Sequence, residues 1–452
     1  MKIVIIGAGK VGELLCHDLA NEGNDITLIE TNAKILDKII SNNDIMGFVG
    51  NGTNYDVQME AGVSKADIFI AVTEKDEINI ISSVIAKKLG AKFTIARVRN
   101  TEYSSQIDFM SKSLGIDLVI NPELEAAEYI KQNINFPEAL NVESFLNGKL
   151  KMVEFLLDED SSLNEVSILD FKQKLFPNLL VCIIKRDDEV IIPSGNTVLK
   201  SGDKIYITGM ENEIIKFQNI LGKHTDKISS AFIIGAGIIT HYLAKELLDE
   251  KIKVKILEQD EEKAMKLSED LPGAIVVHGD GSNEDTLKEE NFKKYDACIS
   301  ITGMDETNIF ISIYAKKMGI KKIITKLNKL SFIDILGEGS FQSIVTPKKL
   351  IADNIIRVVR SLASKKGNKI ENLYRLENNK VEAIELLINS HSKINDIPLK
   401  NLKIKKNLLI AYIVRNNIPI FPTGNDVIKE GDRIIIITTE NFFDDINNII
   451  EE

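Results

Sequence analysis

Gly7, Gly9 and Gly12 stand in G-x-G-x-x-G spacing directly after the apolar run Ile3-Val-Ile-Ile6. In that setting each glycine has a physical task. Gly7 makes the tight turn from strand to helix, and Gly9 lets backbone amides approach a pyrophosphate. Gly12 lets the following helix pack close to the strand. That helix opens over residues 13–19 and presents unpaired N–H groups and the positive end of its dipole to phosphate oxygens. An acid follows where such a fold places a ribose-binding carboxylate: Glu30 ends the run Asp25-Ile-Thr-Leu-Ile29, 30 − 7 = 23 residues after the first glycine. The implied chemistry is nucleotide binding by Gly7, Ala8, Gly9, Lys10, Val11 and Glu30. The plainer reading of the same residues is a Rossmann unit that keeps its turn without a phosphate.

Further residues fall around the same ligand. Glu30 is expected to bind both ribose hydroxyls of an adenosine and to repel a 2′-phosphate, which favours NAD(H), ATP or ADP over NADP(H). Lys10 is placed either to meet phosphate oxygens as a point charge or to stay a surface lysine. Asn51, Gly52 and Thr53 follow the third strand and skirt the adenine ring. Thr73 and Glu74 lie at the carboxyl edge of the sheet, as ligand contacts or as strand caps. Arg97 and Val98 end the fifth strand, with Arg97 a phosphate clamp, an interface residue or half of a surface ion pair.

The elements that must position these residues occur twice. Ile233-Ile-Gly-Ala-Gly237 repeats Ile5-Ile-Gly-Ala-Gly9 at an offset of 235 − 7 = 228, and Glu258 repeats Glu30. Gly279-Asp-Gly-Ser282, Ser300-Ile-Thr302 and Asp305-Glu-Thr-Asn308 repeat Gly50-Asn-Gly-Thr53, Ala71-Val-Thr73 and Asp76-Glu-Ile-Asn79 at 229. Thr346-Pro347 echoes Asn121-Pro122. The chain is therefore two copies of one module of about 225 residues. The alternation of short β runs and helical stretches predicts an α/β fold, with two tandem Rossmann-like doubly wound parallel sheets, each followed by a small α+β domain. In the first copy strands are expected over 3–6, 26–29, 45–49, 68–72, 94–98 and 118–120, with helices over 79–89 and 123–133. The smaller part shows strands over 152–157, 179–185, 190–192 and 204–208, and its Pro-Ser-Gly…Ser-Gly-Asp203 segment recurs as Pro-Thr-Gly…Glu-Gly-Asp432. The expected domains are 1–138 and 225–364 for the Rossmann halves and 139–224 and 365–452 for the small halves, with the modules joined through 222–230.

The second copy keeps Gly235, Gly237, Glu258, Asp280 and Thr302 as site residues, and Asp280 supplies an acid where the first copy has Asn51. It has Thr240 in place of the third glycine and Ile238 in place of Lys10. Weaker binding, a different nucleotide and an empty structural copy all fit those changes.

The chain has 452 residues with 44% hydrophobic and 27% charged residues, which is ordinary globular material. A net charge of −11 argues against a nucleic-acid partner, which needs a basic stripe. No apolar run reaches the roughly 18 residues of a spanning helix, and no signal peptide is expected. Cys16, Cys182 and Cys298 are far apart and sit in apolar patterns, so buried free thiols in a cytosolic protein are expected. No metal-ligand cluster, nucleophile elbow or Walker motif is present, which leaves the catalytic and metal residues at none.

This order of parts resembles the TrkA family, the cytosolic regulatory subunits of bacterial Trk potassium-uptake systems, whose members carry two RCK modules in tandem. The resemblance spans essentially the whole chain. It rests on Gly7-Ala-Gly-Lys-Val-Gly12, Glu30, Gly50-Asn-Gly-Thr53, Ala71-Val-Thr-Glu74, Asp76-Glu-Ile-Asn79, Ile95-Ala-Arg-Val98 and the Pro-Ser-Gly…Ser-Gly-Asp203 segment. The chain departs at Asn51, where the family has Asp. The resemblance implies a nucleotide-sensing ring, tetrameric, on the inner face of the cell membrane, gating a potassium-translocating subunit and performing no catalysis. The competing reading is an NAD-dependent dehydrogenase with duplicated domains, which needs a general acid or base facing a nicotinamide. A redox-sensing transcription factor lacks its helix-turn-helix.

Overall fold

Four sheets make up the molecule in a computed structural model, which describes residues 1–104, 107–146, 148–220, 227–329, 331–332, 341–363, 369–377, 379–440 and 446–450. The first holds β1 (Lys2–Ile6), β2 (Asp25–Glu30), β3 (Met46–Val49), β4 (Ile68–Ala71), β5 (Phe93–Arg97) and β6 (Leu118–Ile120). All its strands are parallel, in the order β3-β2-β1-β4-β5-β6. The central strands β1 and β4 are almost wholly buried because helices cover both faces. The order reverses between β1 and β4, and this is the crevice at which such sheets bind ligands.

The first small half adds β7 (Asn141–Phe145), β8 (Leu150–Leu156), β9 (Leu180–Arg186), β10 (Glu189–Ile191) and β11 (Lys204–Met210), an antiparallel sheet in the order β10-β9-β11-β8-β7. Strand β7 was not anticipated. Its run Asn-Val-Glu-Ser-Phe has apolar residues only at the second and fifth places, so it shows no alternation, and pairing with β8 creates it. The second module repeats both sheets. Strands β12 (Ser230–Ile234), β13 (Lys253–Glu258), β14 (Ile275–His278), β15 (Ala297–Ser300), β16 (Lys322–Lys326) and β17 (Ser343–Val345) form the parallel one. Strands β18 (Lys369–Leu376), β19 (Val381–Leu387), β20 (Leu408–Arg415), β21 (Ile418–Ile420) and β22 (Arg433–Thr438) form the antiparallel one. The expected inter-module linker lies partly outside the described residues, and β12 begins at Ser230.

The modules interlock. The first crossover helix, Pro122–Ile134, has an Asn121 cap accepting from Glu123 N and Leu124 N and proline at its start. It buries Ala126, Ala127, Ile130 and Ile134 in the core of the second Rossmann half. There Lys131 meets Glu246 at 3.0 Å on the helix Ile238–Asp249 and Glu250, which caps that helix, at 3.2 Å. The second crossover helix, Pro347–Ala363, does the reverse. Its Ile351, Ala352, Ile355, Ile356 and Val359 join the core around Ile3, Ile5 and Leu15 of the first module. The two small sheets meet face to face through Phe145, Met152, Cys182 and Tyr206 on one side and Ala383, Ala411, Tyr412 and Ile435 on the other. All three cysteines are buried free thiols, and no described helix is long and apolar enough to cross a membrane.

A buried ion network pins the second exchange. Arg360 donates to both carboxylate oxygens of Glu382 at 2.9 Å, and its Nη2 donates to Glu22 at 2.6 Å. Arg375 bonds Asp18 at 2.7 Å. The side chains of Arg360, Glu22 and Glu382 are 7%, 6% and 4% exposed, so Arg360→Ala strands two carboxylates without a partner. Urea denaturation of that variant is expected to show a loss of about 3–5 kcal/mol. A loss below about 1 kcal/mol would mean the network is worth no more than a surface pair.

Candidate functional site

At the switch point of the first sheet the turn after β1 faces an open cleft of about 1030 Å³. Gly7 adopts φ +98°, and a Cβ there would lie 2.9 Å from Thr73 N, so only glycine fits both the conformation and the space. A Cβ on Gly12 would lie 1.9 Å from Gly7 O, so the helix Lys10–Asn21 lies directly against the turn. A Cβ on Gly9 would meet nothing within 4 Å. Gly9 caps this helix without a side-chain bond, so the first-turn amides face the cleft unpaired.

Glu30 is fixed against that loop. Its Oε2 accepts Ala8 N at 2.8 Å, and its Oε1 accepts Asn32 N and Thr31 Oγ1, each at 2.9 Å. Burial pushes this carboxyl up, but the amides of Ala8 and Asn32 outweigh it and hold the group below its ordinary value. The acid therefore stays ionised near neutrality. Its remaining lone pairs face the cleft that it lines.

Gly7, Ala8, Gly9, Lys10, Val11, Glu30, Asn51, Gly52, Thr73, Glu74 and Arg97 all line this one cleft. Two expected residues stand outside the lining. Val98 is buried in the core with its N–H bonded to Ile120 O at 2.9 Å. Thr53 turns back on Asn51, whose Oδ1 accepts Thr53 N at 3.0 Å and Thr53 Oγ1 at 2.9 Å. Thr73 does cap a strand end: its N–H and hydroxyl bond Asn79 Oδ1 at 2.8 and 2.7 Å. Buried Asn79 also donates to Arg97 O at 2.9 Å, tying the ends of β4 and β5 together. The recurrence of Asn79 as Asn308 was a visible signal for this role, and Asn308 likewise bonds Thr302 N at 2.9 Å and Lys326 O at 3.0 Å.

Besides Lys10 and Arg97, the cleft holds cations that the sequence reading did not include, Arg99 and Lys348 among them. Arg99 lines it, with its backbone N–H bonded to Asp76 at 2.9 Å. Arg97 is held below its usual value by burial first and by neighbouring Arg99, and its Nε has no hydrogen-bond partner. Lys348 comes from the second module, at the start of the second crossover helix. Burial, then the adjacent ammonium of Lys10, pushes Lys348 down to about 8. Two ammonium groups side by side over a phosphate-type loop make a place for an anion. The sequence signal was Thr346-Pro347 echoing Asn121-Pro122, but only the helix exchange brings the following residue to the other module's loop.

The second cleft is about half as large, about 540 Å³ against 1030 Å³. Gly235, Gly237, Glu258, Asp280 and Thr302 line it together with Lys263 and Lys326. Glu258 accepts Ala236 N at 2.5 Å, as Glu30 accepts Ala8 N. Thr240 is fully buried, and its hydroxyl donates to Gly235 O at 2.5 Å. The carbonyl that a bare Cβ would strike is thus met by a hydrogen bond. Ile238, 39% exposed, puts an apolar side chain where the first cleft has Lys10.

A family model described as the TrkA-N domain matches residues 3–122 and again 231–347, and the TrkA-C domain model matches 152–222 and 383–450. The chain belongs to the TrkA family. A TrkA relative from Archaeoglobus fulgidus, named Trk system potassium uptake protein TrkA homolog, is 32% identical over 451 residues and covers 100% of this chain and 99% of its own. A TrkA relative named homolog 1, from Methanosarcina mazei, is 31% identical over 450 residues and covers 97% of each. Among solved structures, the GsuK channel bound to NAD superposes with a TM-score of 0.62 at 16% identity, covering 97% of this chain and 77% of that one. The GsuK RCK domain gives 0.62 at 18% identity, covering 97% and 92%. At such identities the likeness is one of fold, and it places this TrkA-family chain on the tandem RCK architecture.

The loop geometry separates binding from folding. Gly9→Asp puts its side chain into open space, so its thermal midpoint is expected to match the wild type while added negative charge keeps phosphates out. Gly12→Ala has no such space and is expected to lower the midpoint. Equal midpoints for wild type and both variants by scanning calorimetry would contradict the packing described.

Proposed function

We propose that this chain is the cytosolic nucleotide-binding regulatory subunit of a Trk-type potassium uptake system, peripheral on the inner face of the membrane, and that it performs no catalysis itself. It binds NAD(H) and/or ATP or ADP and gates a membrane potassium-translocating subunit. One observation carries this reading: in the first cleft, open loop amides and an ionised Glu30 are joined by Lys10 of one module and Lys348 of the other. A nucleotide held there touches both modules, so it binds one relative arrangement better than others, and that difference is what a partner can read. The second cleft, with Ile238 in place of the loop lysine, is the weaker site.

The test is calorimetric titration of NAD, NADH, ATP and ADP into wild type and Lys348→Ala. At least one ligand is expected to bind in the micromolar range, with affinity falling about tenfold in the variant as one charge-assisted contact is lost. Failure of all four to bind would end the nucleotide reading. Sustained NADH turnover with hydroxy acids, amino acids or aldehydes would instead favour the dehydrogenase.

Copies of the chain are expected to assemble, as a tetramer by resemblance to the family. Phe310 and Ile81 occupy the same position of the equivalent helices Asp305–Met318 and Asp76–Leu89 (310 − 81 = 229) and are 72% and 50% exposed. Apolar side chains so exposed in both copies suit a contact surface. Phe310→Asp is expected to lower the mass measured by light scattering, and an unchanged mass would remove this face from the assembly.

A further inference from the structure

The second cleft keeps the nucleoside end of the first and changes its phosphate end. Glu258 lines it as Glu30 lines the first, with Oε2 accepting Ala236 N at 2.5 Å and Oε1 accepting Asp260 N at 2.9 Å. Gly281 packs on β12 as Gly52 packs on β1: a Cβ would lie 2.4 Å from Ile234 Cγ2 in one and 2.9 Å from Ile6 Cδ1 in the other. Asp280 accepts Ser282 N and Ser282 Oγ, both at 2.8 Å and both on Oδ1, so its other oxygen takes no part in the turn. That carboxylate stands in the lining, where the first cleft has the amide of Asn51.

At the phosphate end the positive charge is gone. Five cations line the first cleft, Lys10, Lys75, Arg97, Arg99 and Lys348, against the acids Glu30 and Glu74. The equivalent residues for the second are Ile238, Met304, Lys326, Asn328 and Glu123 (238 − 10 = 228; 304 − 75, 326 − 97 and 328 − 99 = 229; 348 − 123 = 225). Of these only Lys326 is a cation, and it is already answered. Its Nζ bonds Ile301 O at 3.3 Å, and the carboxylates of Asp305 and Glu123 act on it. The other lysine of the described lining, Lys263, pairs with Asp260 at 3.2 Å. Ile238 and Met304 are 39% and 54% exposed, so the mouth beside the loop is apolar. A phosphate entering there loses hydration without meeting an unpaired cation among the described residues. The turn amides remain open, since Gly237 caps its helix without a side-chain bond. A neutral amide can donate to a hydroxyl oxygen as it does to a phosphate. With about 540 Å³ against 1030 Å³, the cleft also has room for less ligand.

We propose that the second cleft is a nucleoside site: it holds an adenine nucleoside by ribose and base and prefers a 5′-hydroxyl to a 5′-polyphosphate, the reverse of the first cleft. This rests on the nucleotide-binding reading of the fold and adds a second ligand class to it. One chain thus reads the phosphorylated and the unphosphorylated form of one nucleoside on two copies of one scaffold.

Calorimetric titration of adenosine and ADP into the full Gly9→Asp chain tests this, because that change shuts phosphates out of the first cleft and leaves the second as it is. Adenosine is expected to bind about tenfold more tightly than ADP. Adding Glu258→Gln is expected to weaken adenosine about tenfold, as the ribose hydroxyls lose a charged acceptor. An unchanged affinity there would put adenosine outside the second cleft and overturn the proposal. Ile238→Lys is an exposed change that gives the second loop the first loop's residue. It is expected to tighten ADP about tenfold and leave adenosine unchanged. ADP bound more tightly than adenosine in Gly9→Asp, no heat from adenosine, or equal gains for both ligands in Ile238→Lys would each overturn it. Binding of ADP to the wild type that Gly9→Asp abolishes reports on the first cleft alone, so the two readings stand or fall separately.

Discussion

Ile351, Ile355, Ile356 and Val359 leave their own module and bury against Ile3, Ile5 and Leu15 of the other, while Ala126, Ala127 and Ile130 make the reverse journey. Each Rossmann half is completed by a helix it does not encode. The burial is worth roughly 1.5–3 kcal/mol for each large aliphatic side chain relative to exposure, so neither exchanged helix can leave without uncovering a sheet. The orientation of the two halves, the facing of the small sheets and the placing of Lys348 all follow from that constraint. A charged network of Arg360, Arg375, Glu22 and Asp18 on the same surface fixes the helix against sliding.

The two clefts share a backbone and differ in chemistry. Glu30 and Glu258 perform the same bonding to the turn, and Asn79 and Asn308 the same splice of strand ends. Charge separates them. The first cleft gathers Lys10, Arg97, Arg99 and Lys348, whereas the second keeps Lys263 and Lys326 and presents Ile238 and Met304 at the mouth. Volume and charge together make the first cleft the better home for phosphates.

Much of this was legible in the sequence because duplication printed each signal twice. The glycine loop, Glu30 and the β4 end are local: strand, turn and helix fix their places within a few residues. What was not legible is tertiary. Lys348 stands hundreds of residues from Gly9, and no spacing announces that its helix crosses to the other module. Strand β7 owes its form to β8. Lys322 follows Lys321 with no pattern to set it apart, and only the stretch between the first crossover helix and β7, packed over it, makes it a buried group. Val98 stands outside the lining for a related reason: it follows β5, which runs between β4 and β6, and its bond to Ile120 O turns it into the core.

Fusing the modules has an evolutionary consequence. Two identical subunits related by a twofold axis must place the same residue at both helix starts and both junctions, so any change occurs twice or not at all. In one polypeptide that bond is broken. Glu123 and Lys348 hold the same place in the two crossover helices with opposite charge, and Phe93 and Lys322 the same place in two sheets with opposite polarity. The gene can thus specialise the two halves for different tasks, a division of labour that symmetry denies to a dimer of equals.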